Sequence, residues 1–238
     1  MSAHALEIEE HAYYQRQMVL PEWGEAGQLR LKAARVLVVG AGGLGAPVLQ
    51  YLGAAGVGLI GVADGDFVEV SNLHRQVIHT MDDLDMPKTA SAAARLRRGN
   101  PHIEVVEHMF PVTAANAADL VAGYDIVADC TDNFATRDVL HAACFALGRT
   151  LVSGAAQMTE GTVTTFAAFR GGANPCFRCL YPSPLPPEVT PTCSMVGVAG
   201  PVLTVIGGLQ AMEVVKEILG VGDGLSGRIV LYDGLSAG

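Results

Sequence analysis

Three segments carry most of the polar groups able to act on a phosphorylated ligand. "VLVVGAGGLGAP" contains Gly40-x-Gly42-x-x-Gly45, with Gly43 inside it, between a β-branched run and an apolar helical stretch. Glycines at this spacing allow a tight turn and close approach of backbone to phosphate, whose charge suits a helix N-terminus. Asp64 closes the next strand-like run, where a carboxylate accepts hydrogen bonds from a ribose. This fingerprint does not separate NAD, FAD and ATP. The second segment, "DGDFVEVSNLHRQ", adds Asp66, Asn72, His74, Arg75 and Gln76, and "MPKT" supplies Lys88. Each cation alone reads as ordinary solvated charge. Together they favour phosphoryl or nucleotidyl transfer, which needs cations around phosphate oxygens, over hydride transfer, which needs a flat slot with little positive charge.

The third segment is "YDIVADCTDNFATR" (124–137), in which a buried-looking strand runs into Asp129, Cys130, Thr131, Asp132 and Asn133. Charge at the end of a buried strand is costly unless it is paired. Ligands of a doubly wound sheet lie beyond the carboxyl ends of its strands, so Asp64 and Asp66 on one side can face Asp129 and Asp132 on the other. Asp132 has two readings. It holds Mg²⁺, a hard cation that bridges to phosphates, or it caps the helix that follows. Asp129, nearer the strand, reads as a brace for the loop.

The elements that must position these groups alternate in type. Strands are expected at 35–40, 59–64, 103–108, 125–129 and 150–156, with helices at about 44–55, 87–98, 114–122 and 136–147 between them. Such a βαβ rhythm specifies a parallel sheet covered by helices on both faces. After Gly154 the rhythm changes. "GTVTTFAAF" alternates like an antiparallel strand, a Gly/Pro-rich loop spans 171–192, a long apolar helix fits 201–219, and "GRIVLYDG" is a last strand. The expected fold is α/β, a Rossmann-like doubly wound and mainly parallel sheet extended by a smaller antiparallel C-terminal layer. A single domain covers 1–238, its nucleotide-binding half at about 1–154 and its antiparallel part at about 155–238.

Composition narrows the setting. Half of the 238 residues are hydrophobic and only 16% are charged, which suits a large core or a surface buried in a homodimer. A net charge of −9 argues against a nucleic-acid surface. The stretch from Ser194 to Met212 has no ionisable side chain, yet its glycines and Pro201 favour a buried or interface helix over a membrane span. Five scattered cysteines, an odd number, and a polar N-terminal segment without a leader pattern place the protein in the cytoplasm.

"YYQRQMVLPEWGEAGQLRLKAARVLVVGAGGLGAPVLQYLGAAGVG", "DGDFVEVSNLHRQ", "PKT", "DCTDN", "SGAA" and "CFRCL", taken in order, resemble the ThiF/MoeB/HesA family, bacterial relatives of the ubiquitin-activating enzymes. The resemblance runs from Tyr13 to the last strand. It implies ATP- and Mg²⁺-dependent adenylation of the C-terminal glycine of a ubiquitin-like sulfur carrier with a Gly-Gly tail, of the thiamine or molybdopterin pathway, with release of pyrophosphate. It also implies that Gly40–Gly45 lie against the phosphates and that Asp64 binds the ribose. Asn72, Arg75, Gln76 and Lys88 would surround the triphosphate, with Asp66 and Asn133 beside the nucleotide and Asp132 on Mg²⁺. Arg16 would reach into the partner subunit of a homodimer.

Two cysteine features complete the reading. Cys176 and Cys179 in "CFRC" have the spacing of half a zinc site. The second Cys-x-x-Cys of the family pattern is missing, so a structural zinc is absent, completed otherwise, or dependent on a tail beyond this sequence. Cys193, in a Pro-rich loop before the apolar helix, is either the thiol that some family members use on the activated carrier or an ordinary loop cysteine. Cys130 and Cys144 read as packing residues, and His74 as a contact residue without an acid/base role. Two other functions compete: a non-catalytic binding scaffold, and an NAD-dependent oxidoreductase resting only on the glycine fingerprint and Asp64.

Overall fold

Alternation along the first strand decides the layering. In the computed structural model, which describes residues 5–182 and 196–236, strand β1 (Arg35–Val39) sends Val36 and Val38 to one face and Leu37 and Val39 to the other. Both faces are apolar, as a strand covered by helices on two sides requires. Helices α3 (Gly45–Ala55), α4 (Lys88–Gly99) and the long α8 (Gly200–Leu219) pack on the first face. Helices α5 (Ala117–Ala122) and α6 (Phe134–Leu147) pack on the second.

The sheet has seven strands in the order β3-β2-β1-β4-β5-β6-β7. Strands β2 (Leu59–Ala63), β3 (Glu104–His108), β4 (Ile126–Asp129) and β5 (Thr150–Gln157) run parallel to β1. β6 (Glu160–Phe166) and β7 (Ile229–Asp233) are antiparallel additions. The expected antiparallel part therefore continues the edge of the same sheet beside β5. Because β2 and β4 flank β1, the strand order reverses there and opens a crevice at the strands' carboxyl ends.

Two N-terminal helices, α1 (Ile8–Met18) and α2 (Gly24–Ala33), escaped the sequence reading. α1 buries only Glu10 and Tyr14, too narrow a stripe to give a strong apolar period. Polar bonds fasten the pair instead. Glu10 pairs with Lys32 at 2.6 Å, the Tyr14 hydroxyl accepts from Asn100 at 2.8 Å, and the buried Gln28 amide donates to the Ala55 carbonyl at 2.9 Å. A short helix α7 (Phe177–Leu180) also interrupts the expected 171–192 loop. Helix α6 starts at Phe134, two residues earlier than expected, because Asn133 caps it. The long apolar helix lies where the sequence placed it. Among the described residues no helix is long and apolar enough to cross a membrane.

Candidate nucleotide site

The glycine loop is shaped by close contacts. Gly40 has φ +95°, and a side chain there would put its first carbon 2.8 Å from the Cys130 carbonyl oxygen. At Gly45 the same carbon would lie 1.9 Å from the Gly40 oxygen, so the loop and the first turn of α3 touch backbone to backbone. Gly43 faces Leu203 of α8, and Gly42 faces the open cleft with only the Gln76 amide nearby. Asp64 ties this loop to β2, accepting from Ala41 N and from Asp66 N, each at 2.8 Å.

These groups border a cleft of about 510 Å³ at the carboxyl ends of the strands. On the β2 side, Lys88 is buried and its ammonium lies 2.8 Å from the exposed Asp66 carboxylate. Arg75 is held by the Ser71 carbonyl at 2.8 Å and stands 2.9 Å from the His74 ring nitrogen. Gln76 lines the cleft with a buried amide oxygen that has no hydrogen-bond partner among the described residues. An unmet buried acceptor costs about 1–3 kcal/mol, so this position suits a donor brought by a ligand. Asn72 is built into the scaffold, its amide oxygen accepting from Glu69 N at 3.2 Å, and it does not line the cleft.

The β4 side separates the two acids of "DCTDN". Asp129 is fully buried. It accepts from Thr131 N at 3.0 Å, from the Thr131 hydroxyl at 2.7 Å and from the Ser153 hydroxyl at 2.7 Å, and lies 3.3 Å from the Arg137 guanidinium. It is a brace, as expected, and Arg137 is the partner that the sequence reading missed. Arg137 also donates to the Thr131 and Gly154 carbonyls. No local spacing signals this, because the arginine reaches back from the first turn of a helix to the strand before it. The helix cap is Asn133, whose Oδ1 accepts from Thr136 N at 2.9 Å. Asp132 is thus released from capping. It is exposed at the cleft wall, and no hydrogen bond or ion pair ties it to the other described residues. A free carboxylate fits a hard cation such as Mg²⁺.

Arg16, Cys176 and Cys179 lie away from the cleft. Arg16 is exposed on α1 and does not line the cleft of its own chain. Cys176 and Cys179 bring their sulfurs to 3.4 Å, and the hydrogen bonds from Cys176 hold the Cys179 thiol below its usual pKa. Two thiols do not complete a zinc site, and among the described residues no cluster of three or more His, Cys, Asp or Glu stands ready for a metal. Cys193 falls outside the described residues. Burial pushes the Cys130 thiol up strongly and the Cys144 thiol up to about 12, as suits packing residues.

A reversing parallel sheet with a glycine loop, an acid ending β2 and convergent cations defines a Rossmann-like nucleotide-binding protein. The chain belongs to the ThiF family, which it matches over residues 14–237. It is 48% identical over 231 residues to a "Sulfur carrier protein adenylyltransferase" of Thermus thermophilus, covering 96% of this chain and 85% of that protein. It is 51% identical over 231 residues to "Adenylyltransferase and sulfurtransferase MOCS3" of Bos taurus, covering 97% of this chain and 50% of that protein. The chain therefore spans about half the length of its MOCS3 relatives. Among solved structures, PaaA superposes with a TM-score of 0.81 at 21% identity, over 98% of this chain and 73% of that one. E. coli MccB with ATP gives 0.74 at 24% identity, over 87% and 62% respectively. At those identities the likeness concerns the fold alone.

Proposed function

We propose that this chain uses ATP to adenylate the C-terminal glycine of a ubiquitin-like sulfur carrier, releasing pyrophosphate, in thiamine or molybdopterin cofactor biosynthesis. The observation that carries this reading is the uncompensated Asp132 carboxylate sharing one cleft with Arg75, Lys88 and the glycine loop. The activities for which the bacterial and MOCS3 relatives are named support it.

The chemistry joins two anions, since a carboxylate attacks an α-phosphate that is already negative. Arg75 and Lys88 offset that repulsion and stabilise the charge that builds on pyrophosphate as it leaves. Asp64 receives the ribose hydroxyls, and Gly40–Gly45 give the phosphates a surface free of side chains. The attacking carboxylate is already ionised, so no general base is needed. Asp132 would hold Mg²⁺, which supplies neutralising charge at the phosphates.

The active unit in this reading is a homodimer in the cytoplasm, each Arg16 completing its partner's site. An exposed apolar stripe of Val205, Leu209 and Met212 on α8, with Tyr51 beside it on α3, supports a covered face. Free Cys130, Cys144, Cys176 and Cys179 agree with a reducing compartment. Zinc would need ligands beyond Cys176 and Cys179, and metal analysis of the purified protein decides whether it is bound.

Titration with ATP·Mg²⁺ and, separately, with NAD, followed by carrier-dependent pyrophosphate exchange, tests the proposal. ATP binding and exchange are expected. Binding of NAD without ATP would turn the reading to an oxidoreductase, and ATP binding without exchange for any Gly-Gly carrier would turn it to a scaffold.

A further inference from the structure

His79 is buried beneath the glycine loop and plays no part in the chemistry above. Its Nε2 lies 2.9 Å from the Ala41 carbonyl oxygen and its Nδ1 lies 2.7 Å from the Ser91 hydroxyl of α4. A carbonyl only accepts, so Nε2 carries a proton and donates to Ala41. In the neutral ring Nδ1 then accepts from Ser91, which fixes the tautomer. Burial favours that neutral ring by holding the imidazole below its ordinary pKa.

The consequence lies on the other side of the peptide. In a trans peptide the carbonyl and the following N–H point in opposite directions. Holding the Ala41 carbonyl down on His79 therefore aims the Gly42 N–H away from the imidazole, on the residue that borders the open cleft. The preceding peptide is fixed by the same logic. Asp64 takes the Ala41 N–H, and the Gly40 carbonyl is turned toward Gly45. Two side chains from different elements thus pin two successive peptide planes.

We infer that His79 is a positioning residue, a neutral donor that holds the Ala41–Gly42 peptide in the orientation presenting the Gly42 N–H to a nucleotide phosphate. Without it the peptide is free to rotate and turn an acceptor toward the phosphate. This inference rests on the ATP reading of the cleft.

The test compares His79→Phe, which keeps a ring and loses the donor, with His79→Gln, whose amide N–H can replace it. ATP·Mg²⁺ affinity is measured by calorimetry at a temperature where circular dichroism shows both variants folded. His79→Phe is expected to bind ATP about tenfold or more weakly, with His79→Gln recovering most of the loss. In exchange assays the KM for ATP should rise in His79→Phe while the KM for the carrier stays unchanged, a split that general loosening would not produce. Ser91→Ala, which removes the hydroxyl facing Nδ1 and with it a hydrogen bond to the Asp83 carboxylate, should show a smaller effect in the same direction. Equal ATP affinity in wild type and a folded His79→Phe would overturn the inference and leave the ATP reading intact. A wild-type protein that takes up no ATP would overturn both. If His79→Phe does not fold, His79→Gln and Ser91→Ala decide: near-wild-type affinity for glutamine with a loss for alanine supports the role, and unchanged affinity in Ser91→Ala together with a loss in His79→Gln overturns it.

Discussion

The carboxyl ends of β2 and β4 each present a pair of acids, and the two pairs divide their work alike at first. At β2, Asp64 is held by two backbone amides while Asp66 is exposed. At β4, Asp129 is buried in a net of Thr131, Ser153 and Arg137 while Asp132 is exposed. In both, the inner acid shapes the loop and the outer one faces the cleft, though Asp64, unlike Asp129, lines the cleft as well. The pairs differ in what meets the outer acid. Asp66 already has the Lys88 ammonium at 2.8 Å, whereas Asp132 pairs with no cation among the described residues. One side of the cleft thus stores its positive charge against an internal carboxylate, which a phosphate would displace. The other side presents negative charge that only an incoming cation would neutralise.

The sharpest test replaces the two β4 acids in turn. Asp129→Ala leaves Arg137 buried without its counter-charge, and such a loss costs about 3–5 kcal/mol. Urea unfolding should register that deficit, and soluble yield should drop. Asp132→Ala removes an exposed group without partners among the described residues and should change stability by less than about 0.5 kcal/mol. Its effect falls on function, with carrier-dependent pyrophosphate exchange lost by at least about a hundredfold. Equal destabilisation by both substitutions would erase the distinction between brace and ligand.

Exchange between subunits sharpens the same contrast. In the proposed homodimer, Arg16→Ala and Asp132→Ala should each be inactive alone, because each removes a charge from every site. Mixed and allowed to re-pair, they should recover part of the wild-type exchange rate, since a heterodimer holds one site with both residues intact. Exchange that stays absent in verified heterodimers would return Arg16 to the solvent.

How these roles were legible differs from residue to residue. The parallel half was read almost to its ends, because strands buried on both faces write continuous β-branched runs and glycines mark the loops between them. The N-terminal helices were not read, since Glu10, Tyr14, Gln28 and Asn100 fasten them through polar bonds that leave no apolar period. Asp132 could not be resolved from sequence, because a cap and a metal ligand want the same residue type at the same place. The structure separates them by giving the cap to Asn133. Arg137 and His79 act through elements brought together only by folding, and neither stands at a spacing that points to its partner.

At β2 the contrast predicts a smaller change. Asp66→Asn removes the carboxylate that competes with phosphate for Lys88. The pair is exposed on the aspartate side, so the interaction is worth about 0–1 kcal/mol. ATP should bind up to about fivefold more tightly by calorimetry, with stability nearly unchanged. Weaker binding would mean that Asp66 orients the lysine more than it occupies it.

The smallest expected effect concerns mild acid, and it too distinguishes the two ends. The β2 side leans on His79, while the Asp129 net at β4 contains no histidine. Burial lowers the His79 pKa from about 6.5, and the Lys88 ammonium acts in the same direction; the bond to Ala41 and the carboxylates of Asp83 and Asp64 oppose them without reversing the shift. Burial also lowers His108 and His141. Below about pH 6.5 the unfolded chain therefore binds protons that the folded one resists. Stability from these groups is complete above that pH and declines as pH falls toward the depressed folded values. Urea midpoints taken at about pH 7.5, 6.5 and 5.5 should fall in that order, and His79→Gln should flatten part of the slope. Hydrogen exchange should show the glycine-loop amides loosening before those of β4, because protonating His79 puts a buried charge directly beneath Ala41 while the Asp129 net contains no imidazole to charge. An unchanged slope in His79→Gln would shift the acid sensitivity to His108 and His141, on the opposite side of the sheet from the loop.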